Sequence, residues 1–137
     1  MPPPGPRVVL IAERDRIVRE LEKQFLEEAG YAVEFVDDGE AAFLRAREIR
    51  PALVVTEIMI PKVDGLTLCR RLGEDPATSH IPVVVFSILA ASARARDAGA
   101  AAFLRKPIVG AVFIATLERL IAVNSNGKKE AQWALHR

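Results

Sequence analysis

The sequence predicts a doubly wound α/β fold, a five-stranded parallel sheet in the strand order 2-1-3-4-5 with five helices on its two faces. Three observations predict it. Short apolar runs alternate with segments of helical periodicity along most of the chain. The runs are continuous rather than alternating, as strands covered on both faces require. The chain of 137 residues, 50% hydrophobic and 27% charged, suits a single domain.

Residues 1–6, MPPPGP, offer few backbone donors and read as a flexible Pro-rich lead-in. Val8 to Ala12 is the first strand. Asp15 to Ala29 follows as a helix with Val18, Leu21, Phe25 and Ala29 at inward spacing, and Gly30 stops it. Tyr31 to Val36 is the second strand, Gly39 to Ile49 the second helix before Pro51, and Leu53 to Thr56 the third strand. Leu66 to Leu72 is the third helix, Val83 to Phe86 the fourth strand, and Ala90 to Ala98 an Ala-rich fourth helix before Gly99. Ala102 to Leu104 is a short fifth strand, and Val109 to Ala122 the last helix with Val112, Thr116, Leu120 and Val123 facing inward. The domain therefore spans 7–123, leaving 124–137 as a C-terminal tail or linker stub in which KKEAQWALHR carries Trp133 and Leu135.

Composition narrows the functional classes. A formal charge of +1, spread along the chain, supplies no basic face for nucleic acid. The lone Cys69 excludes an internal disulfide and a zinc cluster and suits a reducing cytoplasm. It reads as a small apolar residue, and His80 and His136 lie in poor positions for acid-base work. No apolar run reaches the length of a membrane span, so the expectation is a cytoplasmic protein.

In a 2-1-3-4-5 sheet the topological switch lies between strands 1 and 3, and ligands bind beyond the carboxyl ends of the strands there. Glu13 and Glu57 are the first charged residues after those two strands, and Ser87 and Lys106 fall on the same rim. The segment Glu13-Arg14-Asp15-Arg16 has no glycine-rich phosphate loop, which disfavours nucleotide binding.

Several pieces stand in a familiar order: VLIAE, Gly30-Tyr31, Asp38-Gly39, Ile58-Met59-Ile60-Pro61 with Asp64-Gly65, Pro82, Ser87, Gly99-Ala100 and Lys106-Pro107. From Arg7 to Val123 the chain resembles the receiver domain of bacterial two-component response regulators. The resemblance implies phosphoryl transfer from a histidine kinase onto an aspartate at the end of strand 3, assisted by Mg²⁺. The matching residue here is Glu57. It also implies that Glu13 and the main-chain oxygen of Met59 help to hold the metal, that Ser87 and Lys106 contact the phosphoryl group, and that Phe103 is an aromatic switch. The family's second acid after strand 1 is replaced by Arg14.

Two departures bear on the chemistry. The extra methylene of Glu57 moves an attacking oxygen by roughly 1 Å, a misplacement that costs in-line transfer about a hundredfold. Arg14 removes an oxygen ligand that octahedral Mg²⁺ needs and adds a repelling charge. A guanidinium binds carboxylates well, so Arg14 is expected to pair with Glu13 or Glu57 and neutralise the pocket without metal. The resulting expectation is a degenerate receiver, neither an enzyme nor metal-dependent, acting through protein contacts. The alternative is a working phosphoacceptor that uses Glu57 with Mg²⁺ and a histidine kinase. Glu57 either imitates the phosphorylated state or fixes one conformation, and the sequence leaves both open.

By the same resemblance, the output surface comprises helix 4, strand 5 and helix 5, with Ser92, Arg94, Arg96, Phe103, Arg105 and Pro107. Its partner would be a histidine kinase or an output protein, and a homodimer through that surface is compatible with it. The stretch from Ser87 to Lys106 is about one helical turn shorter than the family's usual length.

Overall fold

The computed structural model describes residues 5 and 7–125. Most of the lead-in, and the tail with Trp133 and Leu135, lie outside the described residues. Ten elements alternate along the chain: β1 (Val8–Ala12), α1 (Arg16–Glu28), β2 (Ala32–Val36), α2 (Gly39–Ile49), β3 (Leu53–Thr56), α3 (Gly65–Glu74), β4 (Val83–Ser87), α4 (Ser92–Asp97), β5 (Ala102–Arg105) and α5 (Gly110–Ser125). They build one five-stranded sheet in the order β2-β1-β3-β4-β5, every neighbouring pair parallel. This is the architecture the sequence predicts.

Strand alternation divides the core into two layers. Leu10, Val54, Val83 and Val85 face α2, α3 and α4, meeting Phe43, Leu68, Leu72 and Ala95. Their neighbours Val9, Ile11, Leu53, Val55, Val84 and Phe86 face α1 and α5, meeting Leu26, Phe113 and Leu117. Each of the central strands is thus apolar on both faces, which is why its sequence reads as an unbroken hydrophobic run. The thiol of Cys69 is buried in the first layer, and burial pushes its pKa up to about 12, so it carries no thiolate.

The loops at the carboxyl ends of β1, β2 and β3 are held by one device used three times. Asp15, Asp38 and Asp64 each accept hydrogen bonds from the first backbone N–H groups of the next helix. These caps satisfy donors that would otherwise be orphaned and fix the point where the chain turns from strand to helix. Past the ends of α1 and α4, Gly30 (φ 94°) and Gly99 (φ 96°) take the left-handed conformation that a side chain would strain.

Three elements differ from the sequence reading. In α1, Asp15 is the cap rather than the first turn, and the fully buried row is Glu22 and Leu26, while Leu21 and Phe25 are half-buried. The helix is rotated so that a four-residue spacing from Val18 faces the sheet, at the cost of taking a glutamate inside. α4 is reduced to Ser92–Asp97 because the cap position is Ala91, which has no side-chain acceptor. In α5, Val112 is exposed and Phe113 points inward. The larger apolar ring of Phe113 packs on Phe86 at 5.5 Å between centroids, burying more surface than valine would. Among the described residues, no helix is long and apolar enough to cross a membrane.

Candidate functional site

The loops following β1, β3, β4 and β5 meet at the carboxyl edge of the sheet. Register puts Ala12 beside Thr56, Thr56 beside Val85, and Ser87 beside Arg105, so the residues that follow these strands share one cleft. Glu13, Arg14, Glu57, Met59, Lys106 and Pro107 line it, together with Asp15 and Val18 at the start of α1 and Ile88 after β4. Glu13, Glu57 and Ser87 are buried although all three are polar.

Lys106 is the centre of the arrangement. Its Nζ lies 2.7 Å from Glu13 Oε1 and 2.9 Å from Glu57 Oε2, bridging the two carboxylates. The hydroxyl of Ser87 donates to Glu57 Oε1, and the backbone N–H groups of Ile58 (2.8 Å) and Met59 (3.4 Å) converge on the same oxygen. Glu13 Oε2 accepts from the N–H of Asp15 at 3.0 Å. Burial by itself would raise the pKa of Glu57, but the bonds from Ser87 and Lys106 outweigh it and hold the carboxyl below its ordinary 4.5. Lys106 is likewise disfavoured as a cation by burial, and its bonds to Glu13 and Glu57 overcome this to raise it above its ordinary 10.5.

A divalent cation was the natural candidate for this place, and the donor set does not fit one as arranged. All four carboxylate oxygens of Glu13 and Glu57 already accept a hydrogen bond or ion pair, and the ammonium occupies the position between them. Among the described residues, no group of three or more His, Cys, Asp or Glu side chains is placed to hold a metal. Mg²⁺ in particular requires near-octahedral oxygen ligands that are free to turn toward it.

The expected role of Arg14 is corrected here. Arg14 is exposed and forms no ion pair among the described residues. The internal cation is Lys106, whose side chain is 11% exposed between the two carboxylates, whereas Arg14 borders the same cleft from an exposed position at the turn into α1. The remaining sequence candidates lie at the mouth of the cleft or beyond it. Met59 is exposed on the rim, and Pro107 follows Lys106 through a cis peptide bond. Phe103 is half-buried against the α2–α3–α4 layer. Arg94 is exposed on α4, and the Nε of Arg105 donates to the carbonyl of Ile88 at 2.8 Å.

Two residues that the sequence reading did not single out shape the site. Arg19 ties α1 to the cleft: its Nε donates to the carbonyl of Glu13, and its Nη2 donates to the carbonyl of Val36 at 3.0 Å and to Asp37 at 2.5 Å. Glu22, one turn below Val18, is completely buried, and neither carboxylate oxygen has a hydrogen-bond partner. Burial is the first cause raising its pKa, from 4.5 to about 9, and the negative charge of Glu13 adds to it. The signal for Glu22 was present in the sequence as its position four residues from both Val18 and Leu26.

Backbone packing fixes the height of Glu57. A Cβ on Gly65 would stand 2.1 Å from the carbonyl oxygen of Glu57, and backbone has no rotamer with which to yield. Gly65→Ala is therefore expected to lower stability by about 2 kcal/mol or more through overpacking, read as a lower urea midpoint. An unchanged midpoint would show that the loop after β3 gives way freely.

A family model described as "Response regulator receiver domain" matches residues 9–118. The chain belongs to this family. The receiver domain is 36% identical over 116 residues to the gliding motility regulatory protein of Myxococcus xanthus, a match covering 82% of this chain and 15% of that one. It is 33% identical over 116 residues to the polar-differentiation response regulator DivK of Brucella anthropi, covering 82% of this chain and 94% of that protein. Among solved structures it is similar to the signal receiver domain of a signal transduction histidine kinase from Syntrophus aciditrophicus, with a TM-score of 0.79, 33% identity, and 85% and 90% of the two chains covered. The chain spans only 15% and 48% of the length of the Myxococcus protein and of the transcriptional regulator CseB of Streptomyces avermitilis.

Proposed function

We propose that this receiver domain works in bacterial two-component signalling without being phosphorylated, as a pseudo-receiver in the cytoplasm that acts through protein contacts and needs no metal. The observation that carries this reading is the bridge of Lys106 between Glu13 and Glu57, completed by the Ser87 hydroxyl. The hydroxyl and the ammonium are the two groups that family resemblance assigns to a phosphoryl group. Here both are engaged by the longer arm of Glu57. The site is held in one engaged state by a single carboxylate charge, less than the roughly 1.5 to 2 charges of a phosphoryl group.

On this reading the domain catalyses nothing, and its signal is its surface. The output face is formed by α4, β5 and α5, with Arg94, Arg105, Phe103 and Pro107 offered to a histidine kinase or an output protein, or to a second copy of the domain. The rival is a working phosphoacceptor that recruits Mg²⁺ through Glu13, Glu57 and the main-chain oxygen of Met59. Adding millimolar Mg²⁺ with beryllium fluoride, a phosphoryl mimic, separates the two by amide and side-chain chemical shifts. The expected result is an unchanged spectrum. Saturable shifts at Glu57, Ser87 and Lys106 would establish the rival instead.

A further inference from the structure

The cleft is not the only charged group in the α1–α5 layer. Glu22 is 0% exposed, with both oxygens orphaned, and an orphaned buried carboxyl calls for a physical explanation. Side chains on a helix lean toward its N-terminus, and α1 starts at the cleft, so the Glu22 carboxyl is aimed toward the Glu13 and Lys106 end of the layer. Val18, one turn above it on the same row, already lines the cleft.

Of the two cations whose charge acts on this carboxyl, Lys106 and Arg19, Lys106 has the larger effect. Its Nζ lies 5.5 Å from the centroid of the Phe86 ring, and Phe86 belongs to the same layer as α1 and α5. An ammonium has three donors, and the bridge to Glu13 and Glu57 uses two of them. The other nearby cation, Arg19, is committed to the carbonyls of Glu13 and Val36 and to Asp37.

We propose that Glu22 is a buried proton switch for Lys106: protonated, it leaves the ammonium bridging Glu13 and Glu57; ionised, it draws the ammonium inward and releases Glu57. The proposal rests on the engaged site described above and adds the group that would disengage it. The charges acting on Glu22 come from every side of the layer. Glu13 after β1 and Glu57 after β3 favour its proton, and Lys106 after β5 and Arg19 on α1 itself oppose it. α5 contributes Phe113 and Leu117 to the same layer, neither of them titratable, and its Glu118 acts on Tyr31. On β2, Glu34 is paired with Arg45 of α2, and Tyr31 just before that strand packs against the α1–α5 layer. Because binding linkage is reciprocal, a positive group entering the cleft lowers the proton affinity of Glu22, so a cationic partner throws the same switch as alkali.

The test is a carbon-detected titration of the glutamate carboxyls from pH 5 to 10.5, with the amides of Ile58 and Met59 and the Lys106 ammonium followed in the same samples. The expected result is one carboxyl with a midpoint near 9, matched by shifts at Ile58, Met59 and Lys106 with the same midpoint. In Glu22→Gln both transitions should vanish while the spectrum at pH 7 stays close to that of the parent. Three outcomes overturn the proposal. Glu22 could titrate near an ordinary 4.5. It could titrate near 9 while Ile58, Met59 and Lys106 stay still. Far-UV circular dichroism could be lost over the same range, which would mean that the proton guards the packing of α1 instead. Silence toward Mg²⁺ and beryllium fluoride is scored separately, so failure of the switch leaves the reading of the site intact.

Discussion

Glu22→Leu is expected to stabilise the domain by about 3 kcal/mol at pH 7, because the folded protein there must hold a proton that the unfolded chain has already released. The sign follows from the direction of the shift. The carboxyl rises from 4.5 unfolded to about 9 folded, so the native state binds the extra proton between those limits. Stability from this group is greatest in acid and falls by about 1.4 kcal/mol for each pH unit across that window. Leucine has similar volume, fills the same place between Val18 and Leu26, and removes both the titration and the two orphaned oxygens. Urea unfolding at pH 5, 7 and 8.5 reads the slope directly. Parent and Glu22→Leu should diverge steadily with pH, and Glu22→Gln should flatten the slope while retaining part of the cost of a buried polar group. Parallel curves for parent and Glu22→Leu would mean that Glu22 is charged and served in solution.

The second large effect is the reverse. Lys106→Met is expected to cost about 3 to 5 kcal/mol at pH 7, the usual penalty for stranding a buried charge, and here it strands two. Glu13 and Glu57 are almost completely buried and both depend on the one ammonium. The loss should depend on pH in the acid range. Glu57 is held below its ordinary 4.5, so its contribution is present above that value and disappears as pH falls through the folded value. The deficit of Lys106→Met should therefore narrow below pH 4, and adding Glu57→Gln should recover part of the loss at pH 7. Equal losses at pH 3 and pH 7, with no recovery in the double variant, would show that the lysine acts by packing along its stem rather than by charge.

These two residues also mark how far the sequence could be read. The central strands were legible because both faces of β3 and β4 are buried, which writes an unbroken apolar run into the chain. The meeting of Glu13, Glu57, Ser87 and Lys106 follows from strand order alone, since each stands where a strand of a doubly wound sheet runs out. Choices among neighbours were not legible. Arg14 and Lys106 are both cations near two carboxylates, and the fold decides between them by enclosing Lys106 and leaving Arg14 exposed. The burial of Glu22 depends on rotating α1 by a fraction of a turn. Hydrophobic spacing that accepts either Leu21 and Phe25 or Glu22 and Leu26 does not specify that rotation. The Ala-rich sequence of α4 overstates its length, because alanine favours helix at every position yet supplies no cap.

The two outer strands of the sheet each carry an arginine fastening. On β2, Glu34 is gripped by the Arg45 guanidinium, with one bond of 2.9 Å. On β5, Arg105 folds back onto the carbonyl of Ile88. An unguarded outer strand is a template on which another chain can add itself, and charge set at such a margin discourages that. Such fastenings discourage further strands from adding at the open flanks and so act against runaway sheet growth.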